Sequence, residues 1–476
     1  MSVNKSLKIN AILNGLKQLC AVVFPLISFP YVSRVLGNDS FGKYSFSNSI
    51  IGYFSLFAGF GVYSYAVREG AKLRDNTESF KHFVNEVYSI NVLSTLISFT
   101  CLLVILLNDS MSNYRVISLI LSLNFIFSMV GTDWINTIFE DFLYITIRYI
   151  LFQLFSLIFL FVFVHSPDDV YWYAIDTVIA NSAGNIANIF YIRKYVHKRI
   201  IRRLNIKKHI KPLLVLFINS LALTIYVNSD ITMVGIYYSD SQVGIYTLSS
   251  KIYNIAKNLI NAIVLVSVPR LSNVFSDNSK FDNYTSKIFS TLITITLPFS
   301  IGLFALSKHV IALIGGEQYA DGNISLKILC IAIVFAILGS FFTNCYLIVS
   351  RNEKYILIAT SVSSVINVLL NLFFIPRFGI NGAAFTTVLA EMVAFLIECF
   401  YAVRKCRKVV LNYRDLFSSL AGVVVMVIVL SLFNSLIVIN NEAIFIIISI
   451  LCSAISYYLV LLMFGNTFAK SIVTKC

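Results

Sequence analysis

Residues Phe29 to Arg68 read FPYVSRVLGNDSFGKYSFSNSIIGYFSLFAGFGVYSYAVR, and this stretch decides the fold because it recurs. A shift of about 202 residues lays Gly42, Tyr44, Ser47 and Arg68 on Gly244, Tyr246, Ser249 and Arg270 without a gap. The apolar blocks before and after coincide as well, and a long internal period signals a duplicated fold. Each copy reads as a helix end, a tight turn near Gly42 or Gly244, a second apolar helix and an Arg at its far end.

Outward from that repeat, the whole chain is apolar. Of 476 residues, 58% are hydrophobic and only 13% charged, too few charges to coat a globule of this size. Windows of the roughly 20 apolar residues that a spanning helix needs follow one another from residue 8 to residue 464, about fourteen in all. Their uniform apolarity excludes the alternating pattern of a membrane barrel. The chain is therefore expected to be an all-α polytopic membrane protein. Its expected parts are an N-lobe of spans 1–6 (1–196), a basic linker (197–212), a C-lobe of spans 7–12 (213–408) and a final pair of spans with a tail (409–476). Two six-helix halves share one membrane orientation, as parallel repeats do.

The formal net charge of +14 invites a nucleic-acid reading, and its placement argues against one. Nine Lys/Arg crowd RKYVHKRIIRRLNIKKHIK, from Arg193 to Lys211, and others lie at Arg68 to Lys81 and Arg404 to Arg414. Intervening loops near Asn108 to Asn113, Ser166 to Val170 and Ser239 to Gln242 carry almost none. This is the positive-inside pattern, which puts both termini in the cytoplasm and makes the span count even. The eight cysteines show no C-x-x-C pair and fall mostly in apolar runs, as small hydrophobes do. No cleavable signal is expected from MSVNKSLKIN, which leads directly into a full-length span. No phosphate loop and no H-E-x-x-H occurs, so neither ATP hydrolysis nor a zinc site has a sequence basis. IGGEQYADGN, around Gly315 and Gly316, reads as a turn.

Polar residues inside the spans mark the candidate site. In the first span Asn10, Asn14, Lys17 and Ser28 form one stripe, while Pro25 and Pro30 predict a bend. In the second, Ser45, Ser49, Gly52 and Gly59 keep helical spacing, and their repeat partners are Thr247, Lys251, Asn254 and Asn261, with Asn258 on the same face. Helix packing explains the small residues equally well. It does not explain a lysine with three asparagines. Asp133, Arg148, Asp176, Asn181, Asn185 and Asn188 lie in spans four to six, Asp230 in span seven, Asn367 and Asn371 in span eleven, Glu391 and Glu398 in span twelve. An ionised group in hydrocarbon costs about 2.5–3.5 kcal/mol on insertion scales, so such residues face a bundle interior as a pathway or as an ion pair. Both readings stay open for Arg148, Asp176 and Glu398.

The segments PYVSRVLGNDSFGKYSFSNSI and GVYSYAVREGAKL resemble the amino-terminal signature of Wzx-type flippases, within the multidrug/oligosaccharidyl-lipid/polysaccharide exporter (MOP) superfamily. DITMVGIYYSDSQVGIYTLSSKIY from Asp230, VPRLS from Val268 and PRFGINGAAFTTVLAE from Pro376 extend the resemblance over nearly the whole chain. It implies two lobes around a central cavity, two additional carboxy-terminal helices and alternating access. It also implies transport, without catalysis, of undecaprenyl-diphosphate-linked oligosaccharides from the cytoplasmic to the outer leaflet of a bacterial plasma membrane. Lys17, Arg34, Arg148 and Lys251 then supply cations for the diphosphate, and Asn14, Ser49, Asn254 and Asn258 supply polar contacts. Asp133, Asp176, Asp230 and Glu391 are the carboxylates available for coupling to a proton or sodium gradient; no other cofactor is expected. Polysaccharide polymerase and chain-length machinery are the implied protein partners, and nucleic acid is not one. A peptidoglycan-precursor flippase and a drug exporter of the same superfamily are the rival readings. A drug exporter expelling organic cations would want carboxylates in its cavity. A membrane polymerase or ligase would need a catalytic external segment, and the longest external loop, about Lys308 to Asn323, is short.

Overall fold

Backbone amides and carbonyls in hydrocarbon must pair within their own segment, so a chain of apolar windows is driven into helices. The computed structural model describes residues 7–201, 205–405, 412–436 and 441–473, and no strand occurs among them. Two compact units divide the chain, Met1–Gly235 with Ser239–Gly244, and Ile236–Tyr238 with Ile245–Cys476.

The first unit contains α1 (Leu7–Gly59), α2 (Val62–Leu73), α3 (Thr77–Leu106), α4 (Arg115–Gly131), α5 (Trp134–Ile138), α6 (Phe142–Phe163), α7 (Val170–Val178), α8 (Gly184–Tyr191) and most of α9 (Ile206–Tyr237). The second contains most of α10 (Asp240–Val274), then α11 (Asn278–Gly315), α12 (Gly322–Phe342), α13 (Glu353–Lys405), α14 (Tyr413–Leu436), α15 (Glu442–Met463) and α16 (Thr467–Val473). Eleven helices among the described residues are long and apolar enough to cross a membrane. Two of them are double spans, α1 broken at Gly37 and α13 broken at Gly379. With the interrupted α7–α8 stretch, this gives the fourteen expected.

The break between the first two spans falls at Gly37, after both prolines of the first span. Gly37 is the residue of α1 with non-helical dihedrals (φ 71°, ψ 174°), while Pro25 and Pro30 lie inside helix. The positive φ of Gly37 is open to glycine without a Cβ penalty. Ser33 donates to the Pro30 carbonyl at 3.2 Å, three residues back along the same helix.

Gly42 and Gly244 are helical and serve a different purpose from the turn expected of them. A Cβ on Gly42 would lie 1.7 Å from the Asp240 carbonyl oxygen, and one on Gly244 would lie 2.0 Å from that of Asn38. Asn38 precedes Gly42 by one turn, as Asp240 precedes Gly244. Each glycine therefore packs on the carbonyl one turn before the other, a reciprocal contact between repeat-equivalent positions. Without an aqueous hydrophobic drive between helices, such close backbone approach is what holds membrane helices together.

α2 is amphipathic, with Val62, Tyr65, Ala66 and Gly70 buried and Arg68 and Lys72 exposed. It closes a cluster with Phe83 and Val84 of α3, Ile135 of α5 and Leu213 of α9. At its base Tyr65 Oη lies 2.6 Å from His209 Nδ1, and His209 Nε2 lies 3.0 Å from Glu86 Oε2. In the second unit, α14 and α15 dock on α11 through Met426, Leu430, Phe445 and Tyr457 around Leu306. The fully buried Asp415 accepts from Asn412 at 2.9 Å and from the Thr467 amide at 2.8 Å, tying α16 to the start of α14.

Candidate functional site

α4 ends at Gly131, and Thr132 takes a left-handed conformation (φ 49°) before α5 begins. A helix that ends here frees carbonyls that need new donors. Asn188 of α8 donates to the Gly131 carbonyl at 2.7 Å, and Lys198, beyond α8, reaches the Val130 carbonyl and Thr132 Oγ1. Burial pushes the Lys198 ammonium down to about 8. α7 and α8 are joined by a wide π-helical turn, Ile179–Ala183, which carries Asn181 and Ser182. Such turns recur at functional sites because they re-aim side chains.

Asp133 stands at the interruption. Arg148 Nη2 donates to its Oδ2 at 2.5 Å and Asn188 Nδ2 to its Oδ1 at 2.9 Å. With its amide nitrogen turned inward, Asn185 lies 3.1 and 3.2 Å from the two carboxylate oxygens. Asn136 completes the set with a 2.6 Å bond to Asn188 Oδ1. Above this network lies a cavity of about 330 Å³, lined by Asn91, Thr95, Asn124, Asp133, Asn181 and Asn185 among others. Amide and hydroxyl groups dominate its polar wall. They can donate to and accept from sugar hydroxyls, and Asp133 gives it one carboxylate edge.

The second unit has its own polar seam. Glu391 of α13 accepts from Tyr253 Oη at 2.6 Å and pairs with Lys257 Nζ at 3.1 Å. Ser340 bonds Asn261, and Asn344 donates to the Ser340 carbonyl at 2.9 Å. Thr386 bonds Asn371, whose amide donates to Asn367 at 3.2 Å. Glu398 is buried against Gly339, its Oε2 2.6 Å from where a Cβ on that glycine would stand.

The other residues singled out by sequence fall in several settings. Lys17 is half-buried, its ammonium 5.5 Å from the centre of the Tyr149 ring. Arg34 is exposed one turn before the Gly37 break. Ser49 is buried and occupied in packing, donating to Phe46 and accepting from Thr232 at 2.9 Å. Asp176 is buried and accepts from Ser156 at 2.7 Å, and Asp230 is buried on α9. Lys251 is half-buried on α10, and Asn254 and Asn258 are exposed. The side chain of Asn14 lies outside the described residues.

This helical architecture has known counterparts. The polysaccharide biosynthesis protein family matches residues 7–275, more than half of the chain. The chain belongs to this family. An Escherichia coli (strain K12) protein named for O-antigen transport is 25% identical over 342 residues, 69% of this chain and 80% of that protein. The capsular polysaccharide biosynthesis protein CapF of Staphylococcus aureus is 28% identical over 163 residues, 33% of this chain and 40% of that protein. Among solved structures, lipid II flippase MurJ in an inward closed conformation superposes with a TM-score of 0.77 over 97% of this chain and all of that one, at 18% identity. At that identity the likeness concerns the fold.

Within this polysaccharide biosynthesis family member, sequence reasoning missed Lys257, Asn124 and Asn136. A signal existed for Asn124 and Asn136, since an asparagine within an apolar window is costly unless satisfied. Lys257 was hidden because it lies off the Lys251–Asn254–Asn258 face, and only the packing of α10 on α13 brings it to Glu391.

Proposed function

We propose that this protein is a flippase that carries undecaprenyl-diphosphate-linked oligosaccharide repeat units from the cytoplasmic to the outer leaflet of a bacterial plasma membrane, for capsule or O-antigen synthesis. Membership of the polysaccharide biosynthesis family carries the reading, with a relative named for O-antigen transport over most of its length. The cavity beside Asp133 supports it, because its wall carries amide and hydroxyl groups that can donate to and accept from sugar hydroxyls. Such a pocket suits a glycan.

Alternating access would move the head group past these polar walls while the lipid tail stays in the bilayer. Lys17 and Lys251, with Arg34 nearer the membrane edge, are our candidates for meeting the diphosphate, and Asn254 and Asn258 for meeting sugar hydroxyls. Asp176 and Asp230 remain candidates for proton or sodium coupling. Asp133 and Glu391, which each hold a basic partner, are candidates as well. The membrane potential alone supplies about 2.3 kcal/mol per charge at 100 mV, with a sign that favours outward movement of an anion. A polysaccharide polymerase and chain-length regulator would take the product at the outer face.

A deletion strain tests the function. It should lose surface polysaccharide and accumulate lipid-linked repeat units on the cytoplasmic side, and the intact gene should reverse both. Arrest of peptidoglycan synthesis with polysaccharide export intact would replace this reading with the precursor-flippase one. Orientation is tested by Arg199→Cys, an exposed position beside the half-buried Lys198. Labelling of that cysteine by an impermeant maleimide in intact cells would overturn the cytoplasmic assignment of the linker.

A further inference from the structure

The first unit holds a second cavity, of about 620 Å³, with almost no polar surface. It lies along one face of α3, where lining residues recur every three or four positions from Ile90 to Ile105, against Phe57 and Phe60 at the end of α1 and just beyond it. The two serines on this wall turn their hydroxyls inward, Ser94 to the Ala58 carbonyl at 2.7 Å and Ser98 to that of Phe54 at 2.6 Å. What remains is hydrocarbon-like. Fifteen residues of helix make the groove about 22 Å long. One leaflet of a bilayer core about 30 Å thick is about 15 Å deep. An acyl chain of a phospholipid ends within its own leaflet, so a single chain that fills the whole groove must be longer.

The first turns of α9 close one end, and they have three faces. His209 and Leu213 are buried in the protein, Ile206 and Ile210 line the groove, and Lys207, Lys208 and Lys211 are exposed. At 100° per residue, Lys207 and Lys211 follow the isoleucine face by about a quarter turn. An apolar channel longer than a leaflet, with cations at one mouth, fits a long single chain ending in an anion. We propose that this groove seats the polyprenyl chain of the lipid-linked substrate on first capture, with its phosphate at Lys207 and Lys211 before the head group passes to the cations proposed above for transport. The choice of a polyprenyl chain rests on the flippase reading above; the length and the charge placement do not.

Photo-cross-linking of the full chain tests the assignment. p-Benzoylphenylalanine replaces Ile97, an exposed lining residue, in protein reconstituted into phosphatidylethanolamine–phosphatidylglycerol vesicles doped with undecaprenyl phosphate. The adduct should be enriched in undecaprenyl phosphate well above its mole share. A Lys207→Glu, Lys211→Glu variant should reduce that enrichment about thirtyfold, as expected for two lysines near an anionic group at roughly 1 kcal/mol each. Leu93 provides a second position for the photoprobe should the Ile97 variant fold poorly. Adducts in proportion to the bulk lipids would mean an ordinary annular contact, and an excess of phosphatidylglycerol would mean a phospholipid seat. Either result overturns the proposal. Complementation of the deletion strain separates the two readings. Restored export with unselective cross-linking removes the groove alone, while selective cross-linking without restored export removes the flippase reading and keeps a polyprenyl-phosphate site.

Discussion

Gly42→Ala and Gly244→Ala together test how the repeat-equivalent segments are held. Ordinary contact begins at 3.4 Å, so an added methyl requires the two backbones to part by about 1.7 Å at Gly42 and about 1.4 Å at Gly244. Both obstacles are main-chain carbonyls, which cannot swing aside as a side chain would. Overpacking costs about 1–3 kcal/mol, and the upper end applies. Each alanine returns about 1 kcal/mol of helix propensity, leaving a net loss of about 2 kcal/mol for either single variant. The double variant should cost no more than one single. Once the segments have parted for one methyl, the other already has room, and a second propensity gain is added. Simple additivity would give about 4 kcal/mol, so the cycle should show a coupling of at least about 2 kcal/mol, of the size seen for sites sharing one backbone shift. Equilibrium unfolding by SDS in mixed micelles would measure it. A single variant as stable as the parent, or a double variant whose loss equals the sum, would refute the reciprocal contact.

Further expectations follow from the charged and polar networks. Arg148→Met should destabilise by about 3 kcal/mol, the low end for breaking a buried pair because Asp133 is one-third exposed, and adding Asp133→Asn should restore most of it. His209→Phe leaves the buried Glu86 carboxylate short of a donor and should cost about 1–3 kcal/mol in the same assay, with His209→Gln recovering part. Lys198, held near 8 by burial against an ordinary 10.5, binds fewer protons folded than unfolded between those values. Stability should therefore rise with pH across that window, and a Lys198→Met protein should lack that component of the rise.

The class of fold was legible because hydropathy adds up along a chain, and each window reports its own membrane crossing without reference to its neighbours. Places where the chain turns were less so. α1 breaks at Gly37, five residues before the glycine read as the turn, because a backbone at φ 71° favours a residue without a Cβ. Gly42 shows the same limit from the other side. A glycine for a turn and a glycine for a close crossing look alike until the opposing carbonyl is placed. The site residues were legible as polar exceptions, but not their partners. Asp133 with Arg148 could be suspected from their proximity in sequence. Glu391 with Lys257 spans 134 positions and depends on how α10 packs on α13.

That difference in partners bears on which cations can serve a substrate. Arg148 and Lys257 are each held by a carboxylate, at 2.5 and 3.1 Å, so an incoming diphosphate would have to displace an ion already in place. Lys17 instead lies over the Tyr149 ring at 5.5 Å, near the outer limit of a cation–π contact worth about 0.5–1 kcal/mol. Exchanging that contact for a phosphate oxygen costs little, and charge-assisted bonds to phosphate are among the stronger ones available. Lys17→Met should accordingly leave abundance and unfolding close to the parent while lowering polysaccharide export, with Lys17→Arg retaining part of it. Lys251→Glu should lower export further, since a carboxylate repels the diphosphate. Arg148→Met, by contrast, should lose protein and export together, and its pairing with Asp133→Asn should recover both. Full export by a well-expressed Lys17→Met protein would exclude that lysine from the head-group site.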